Sequence, residues 1–172
     1  MERLTETYIN KRKENQLSCL TPRQKEVLGL MAQGFSNKTI AGKLVIYERS
    51  VENYVNRIFS RIGISSGDPE VDARVKSVLL FQRNTPYFKN SVEEYCRIFP
   101  LSPKQKDLVD LIGDGYSNSA IARQVNISSK TVKNYIHIVL DEKILFDRQT
   151  YSARVVIVLA SQTMHAANSH SS

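Results

Sequence analysis

The sequence predicts an all-α protein in which one four-helix unit occurs twice. Three observations carry this. Residues 20–64 align with residues 101–145 at a constant offset of 81, without a gap, and fourteen of the 45 pairs are identical, too many in register for chance. Each copy punctuates its chain at the same places, with a hydroxyl residue and proline opening a helix and glycine closing it. Between these marks the apolar residues recur at helical spacing.

Each element follows from its residues. Thr21 and Ser102 are N-caps, whose hydroxyl can accept from an orphan N–H of the first turn. Pro22 and Pro103 follow at the first helical position, where a missing donor costs nothing. Val27, Leu28, Leu30 and Met31 give the first helix its buried face, and Gly34 and Gly115 stop it. Ser36 and Ser117 start a short second helix through Ile40-Ala41 and Ile121-Ala122. A third helix buries Val51, Val55, Ile58 and Ile62, repeated as Val132, Ile136 and Val139. After one deleted residue the match resumes at Ala73-Arg74-Val75 over Ala153-Arg154-Val155, which predicts a fourth helix over about 70–82 and 150–164. The run Val155–Val158 is β-branched and by itself suggests a strand. Its twin, VKSVLL, is less strand-like and favours helix. Two short helices joined by a tight turn and flanked by support helices form a helix-turn-helix.

The predicted organisation is an N-terminal extension and first unit over 1–82, a linker with a short helix over 83–100, a second unit over 101–165, and a disordered tail over 166–172. In the linker Asn84-Thr85-Pro86 signals a turn, and Ser91-Val92-Glu93-Glu94 reads as a capping box for a helix ending before Pro100. Segment 5–16 has the same place before the first unit.

Composition narrows the function. Lys and Arg number 24 against 17 Asp and Glu, a net charge of +7. That balance favours a polyanionic partner. The excess is shared, +4 over residues 1–82 and +3 over 83–172, so neither unit is a basic tail. No apolar run approaches the roughly 18 residues of a membrane span. The N-terminus lacks the apolar stretch of a secretory signal. Cys19 and Cys96 form no disulfide framework or zinc site and read as buried or half-buried thiols in a reducing, cytoplasmic setting. No phosphate loop, nucleophile motif or metal-spaced cluster is present, so no enzyme, cofactor, metal or small-molecule ligand is expected.

Two stretches, LTPRQKEVLGLMAQGFSNKTIAGKLVIYERSVENYVNRIFSRIGI and LSPKQKDLVDLIGDGYSNSAIARQVNISSKTVKNYI, resemble the LuxR/GerE-type DNA-binding domain also found in NarL- and FixJ-like response regulators. The resemblance covers about 20–82 and 101–163. It implies a four-helix bundle in which helix 3 enters the major groove of double-stranded DNA and helix 4 makes the dimer contact. Tyr54 and Tyr135 stand where that family has His. Copy 1 has Tyr47-Glu48 where the family has a capping Ser, whereas copy 2 keeps Ser128-Ser129-Lys130-Thr131-Val132-Lys133. Copy 2 is therefore the better expected DNA reader.

The third helix of copy 2 presents Lys130, Lys133, Asn134 and His137 opposite its core stripe, beside Ser128, Ser129 and Thr131 at its start. In copy 1 the same face carries Arg49, Ser50, Glu52, Asn53, Asn56 and Arg57. Lys pairs with guanine, Asn with adenine, and Glu accepts from cytosine. Ser36-Asn37-Lys38 and Ser117-Asn118 would offer free N–H groups and a helix dipole to phosphate. Lys11-Arg12-Lys13 is a short charge run facing solvent or the phosphate backbone. Val75, Val78 and Leu79, with Val155, Val156 and Leu159, are the candidate dimer interface. They would pair either within one chain, as a pseudo-dimer, or between chains. The Val/Ile-rich helix of copy 2 exceeds what a small bundle buries, which favours a second chain. The expected function is a sequence-specific transcriptional regulator of a bacterium, phage or plasmid, nucleoid-associated, acting with RNA polymerase or another regulator. The alternative is a protein-interaction anti-activator or co-regulator that pairs through helix 4 with another LuxR-type regulator.

Overall fold

A computed structural model describes residues 16–85 and 88–169. Lys11-Arg12-Lys13, nearly all of segment 5–16, Pro86 and His170 lie outside the described residues. Eight α-helices appear among them. The first four are α1 (Pro22–Ala32), α2 (Asn37–Leu44), α3 (Glu48–Arg61) and α4 (Ala73–Arg83). The second four are α5 (Pro103–Gly113), α6 (Asn118–Gln124), α7 (Ser129–Glu142) and α8 (Ala153–Ser169). In both sets the fourth helix packs on the first, and the third packs on the first and second.

The caps are those the residues dictate. Thr21 and Ser102 each accept from the backbone N–H three residues on, and the Gln24 and Gln105 side chains reach back to the cap N–H groups at 3.0 and 2.9 Å. Ser36, Ser117 and Ser128 cap α2, α6 and α7 in the same way. Tyr47, with no oxygen within reach, leaves the start of α3 without a side-chain cap. Gly34 and Gly115 follow α1 and α5 at φ +93° and +92°, a region that costs a side chain heavily.

The turn between α2 and α3 is strained. Val45 sits at φ 53°, ψ 51° with 90% of its surface exposed. Its counterpart Asn126 has the same φ, but asparagine tolerates this region and a β-branched residue does not. Val45→Asn should therefore raise stability by about 1 kcal/mol, read as a higher melting temperature; an unchanged or lower one would contradict the strain.

The β-branched run is helical because every side of it is covered. Val155, Val156, Ile157, Val158, Leu159 and Ala160 are all 0–1% exposed, sealed by α5, α4 and the linker. Burying each Val, Ile or Leu is worth about 1.5–3 kcal/mol, which outweighs the few tenths that β-branching costs a helix. The apolar excess that favoured a second chain is thus spent inside this one. The helix runs to Ser169, past the boundary where the sequence places a tail, and begins at Ala153 rather than 150.

The linker departs further from expectation. Its helical part is a single 3-10 turn, Val92–Glu94, and Ser91 makes no cap bond because its backbone is not extended (ψ 22°). The Asn90 side chain accepts from the Val92 N–H instead. The chain then forms strand β1 (Cys96–Ile98), antiparallel to β2 (Ile144–Phe146), with Arg97 opposite Leu145. In copy 1 the position matching Ile144 is Gly63, at φ +71°, and the chain turns there instead. Cys96 is buried, and burial pushes its thiol up to about 11. Cys19 is exposed rather than buried, its thiol donating to the Gln16 carbonyl.

Candidate nucleic-acid interface

The two units meet across a pseudo-two-fold axis. Residue n of the first maps to n + 81 before the deletion and n + 80 after it, and the backbone hydrogen bonds between the units come in mated pairs. The Ser36 N–H donates to Thr150 O and the Ser117 N–H to Glu70 O, both at 2.9 Å; the Ser152 N–H donates to Gly34 O (2.7 Å) and the Asp72 N–H to Gly115 O (2.9 Å). Isolated bridges join Phe35 to Tyr151 and Val71 to Tyr116. The Ser36 hydroxyl donates to Gln149 O, and the Ser117 hydroxyl to Pro69 O. On the axis itself Gln82 and Gln162 exchange amide contacts, 2.9 Å in one direction and 3.5 Å in the other.

Two arginines brace this junction from within. Arg74 donates to Asn37 Oδ1 (2.8 Å) and to the Phe35 carbonyl (3.0 Å). Arg154 repeats the pattern with Asn118 Oδ1 (2.6 Å) and the Tyr116 carbonyl. Its Nε also lies 2.9 Å from Asp72 Oδ2 across the interface, ion-paired but off the line of a hydrogen bond. The mate of Asp72 is Ser152, so Arg74 Nε is buried with no such carboxylate. Burial pulls both guanidinium pKa values down and Asp72 opposes it; arginine remains charged at neutral pH.

These contacts change the reading of the second-helix starts. Ser36 and Ser117 have spent both backbone N–H and hydroxyl on the opposite unit. Asn37 and Asn118 hold the arginines. The N–H groups of the two serines are therefore not free for phosphate, and only Lys38 of that group is fully exposed. The six candidate dimer residues are already covered: Val75, Val78, Val155, Val156 and Leu159 are 0–1% exposed and Leu79 is half-buried.

The third helices are the open surfaces. On α7, Lys130, Lys133, Asn134 and His137 are all exposed on one face, opposite buried Val132 and Val139. Ser128 and Thr131 serve the helix start: the Thr131 N–H donates to Ser128 Oγ (3.0 Å) and the two hydroxyls lie 2.8 Å apart. Ser129 is half-buried. Among the described residues neither Lys130 nor Lys133 has an ion pair. Tyr135 and Ile138 are also exposed, at 44% and 41%, so Tyr135 faces solvent while Tyr54 is half-buried.

On α3, Arg49, Asn53, Asn56 and Arg57 are exposed, with Ser50 and Glu52 half-buried. Arg49 Nη1 lies 2.8 Å from Glu52 Oε2. The leading nine residues, 48–56, carry a net charge of −1, whereas residues 129–137 carry +2. The positive excess lies on the lysine helix; the other carries amides and one late cation, Arg57.

Sequence reasoning missed Asp72, Arg74, Arg154, Gln82 and Gln162. The aligned Ala-Arg-Val was a signal for the arginines. The glutamines fall on aligned positions too, but only the axis gives that meaning.

The family model described as bacterial regulatory proteins, luxR family, matches residues 18–68 and 100–144. The DNA-binding transcriptional activator DevR/DosR of Mycobacterium tuberculosis is 38% identical over 52 residues, 30% of this chain and 24% of that protein. The response regulator Rre1 of Synechocystis is 48% identical over 46 residues, 27% of this chain and 20% of its own length. The transcriptional regulatory protein DesR of Bacillus subtilis is 35% identical over 48 residues, 28% and 24%. The chain thus spans a fifth to a quarter of each of these relatives. No solved structure matches the chain at a comparable level. Among the described residues no helix is long and apolar enough to cross a membrane.

Proposed function

We propose that this chain, which belongs to the luxR family of bacterial regulatory proteins, is a transcriptional regulator that reads double-stranded DNA with α7 and α3, its two helix-turn-helix units being a tandem duplication. The observation that carries the reading is the face of α7: two lysines with no ion pair among the described residues, an asparagine and a histidine, all exposed, on the helix such a fold lays in the major groove. The relatives named as transcriptional regulators support the same class rather than an enzyme.

The unit that binds is a single chain. A dimeric reader matches its two-fold axis to a palindromic site. Here the axis lies within one chain, and five of the six residues expected to pair two chains are buried, with Leu79 half-buried. The two reading faces differ, Lys133 standing where the other has Glu52 and Lys130 where it has Arg49. One chain would therefore span two unlike half-sites, with α7 supplying most of the phosphate attraction. RNA polymerase or a second regulator would be met by the surface left outside the duplex.

Anisotropy titration of the chain with mixed genomic DNA fragments tests the DNA reading. Binding should weaken about a hundredfold between about 50 and 200 mM salt if four phosphates are neutralised. Absence of binding at the lower salt would overturn it and leave the co-regulator reading.

A further inference from the structure

The two units differ most in the groove beside the fourth helix. On copy 2 the linker fills it. The Asn90 amide donates to the Leu159 carbonyl (2.8 Å) and lies 3.3 Å from Thr163 Oγ1. Val92 is fully buried. Tyr95 stacks on Tyr151 with ring centroids 3.9 Å apart, and its hydroxyl donates to the Gln33 carbonyl at 3.1 Å. That hydroxyl sits where a side chain on Gly34 would begin, 2.8 Å from the Cβ position.

The pseudo-two-fold carries Gln33, Gly34, Tyr151, Leu159 and Thr163 onto Asp114, Gly115, Val71, Leu79 and Arg83. All five mates line a single open groove of about 850 Å³, and no described residue fills it. Ile62, Ile64 and Leu80 extend its apolar wall. Its charge is its own. Lys76 and Arg83, two turns apart on α4, replace Val156 and Thr163 of the filled groove, and Asp114 replaces Gln33, so the lining carries two cations against one carboxylate. Both are exposed, and neither has an ion pair among the described residues.

We propose that this groove docks a short acidic segment of a partner protein, bearing an aromatic residue, laid against copy 1 as the linker lies against copy 2. The aromatic ring lies on Val71 over Gly115, its hydroxyl directed to the Asp114 carbonyl as that of Tyr95 is to Gln33. Carboxylates meet Lys76 and Arg83, where the other unit has Val156 and Thr163. Residues 1–15 of the chain carry four basic groups against three acidic, so they offer no excess of carboxylate for Lys76 and Arg83. The surface is separate from the reading faces of α3 and α7, so DNA and the acidic segment can be held together.

The probe is a fluorescein-labelled peptide with the sequence of residues 88–99, carrying Lys89→Glu, Cys96→Ser and Arg97→Glu, titrated against the full chain. Saturable binding should weaken about tenfold or more in Lys76→Glu/Arg83→Glu, a loss expected of two charge reversals at one contact, and also when Tyr95 of the peptide becomes Ala. Lys130→Ala/Lys133→Ala should leave peptide affinity unchanged while it weakens DNA binding, which separates this proposal from the DNA reading. No binding up to about 1 mM peptide, an affinity worth only about 4 kcal/mol, would overturn the proposal. So would binding that survives the charge reversal in a variant whose melting temperature is unaltered, or equal binding of a scrambled peptide.

Discussion

Lys130→Ala/Lys133→Ala should abolish most of the chain's affinity for DNA while leaving its fold intact. Both side chains are exposed and contact no described carboxylate, so their removal costs the folded state little. On DNA each contributes as a base or phosphate contact, and together they are worth about 2–4 kcal/mol, roughly 30- to 1,000-fold in Kd. The salt slope should flatten by about one for each lysine that neutralises a phosphate. The matched substitution in the other unit, Arg49→Ala, removes a cation already tied to Glu52 and should cost less than about 1 kcal/mol. Equal losses from both units would show that the reading faces are equivalent. An unchanged affinity for the lysine variant would remove α7 from the interface.

Arg154→Ala carries the largest expected effect on stability. It removes the ion partner of Asp72, whose other oxygen still accepts from the Val75 N–H, and leaves the Asn118 side-chain oxygen and the Tyr116 carbonyl without their donor at the junction of the two units. The pair is half-buried, so losing it together with two charge-assisted hydrogen bonds costs about 2–4 kcal/mol, and for a chain of this size each kcal/mol lowers Tm by about 2–4 °C. A fall of roughly 4–16 °C is therefore expected. Arg74→Ala should cost less, because Arg74 has Ser152 where Arg154 has Asp72. Arg154→Lys keeps the charge but not the planar fork that reaches three acceptors, and should recover only part of the loss. Equal melting of the Arg154 and Arg74 variants would mean that the Asp72 pair adds nothing.

The repeat made most of the fold legible before any coordinates. Cap residues announce themselves locally: Thr21, Ser36 and Ser128 each bond a backbone N–H three residues away, and such short-range chemistry is written in the adjacent sequence. The exposed face of α7 was legible for the same reason, since 3.6-residue periodicity separates buried Val132 and Val139 from exposed Lys133 and His137. What escaped depends on distant partners. Ser36 binds Thr150, and Arg154 binds Asp72, across separations of more than 80 residues that no local pattern encodes. The β1–β2 ribbon escaped because three residues are too few to show alternation; its one trace was the loss of glycine at Ile144. The linker misled because Ser91 has the residue type of a capping box but not its backbone, and Asn90 does that work from one position earlier.

These pieces converge on one physical picture. Short-range caps fix the two four-helix units, contacts related by an internal two-fold hold them together, and in the proposed function unequal charge makes α7 the dominant reading helix. Sedimentation velocity of the chain with a duplex selected from random sequence tests this most directly. One chain per duplex, on a site with two unlike half-sites, is the predicted result. Two chains per duplex on a symmetric site would contradict it, because the chain would then not be a complete reading unit.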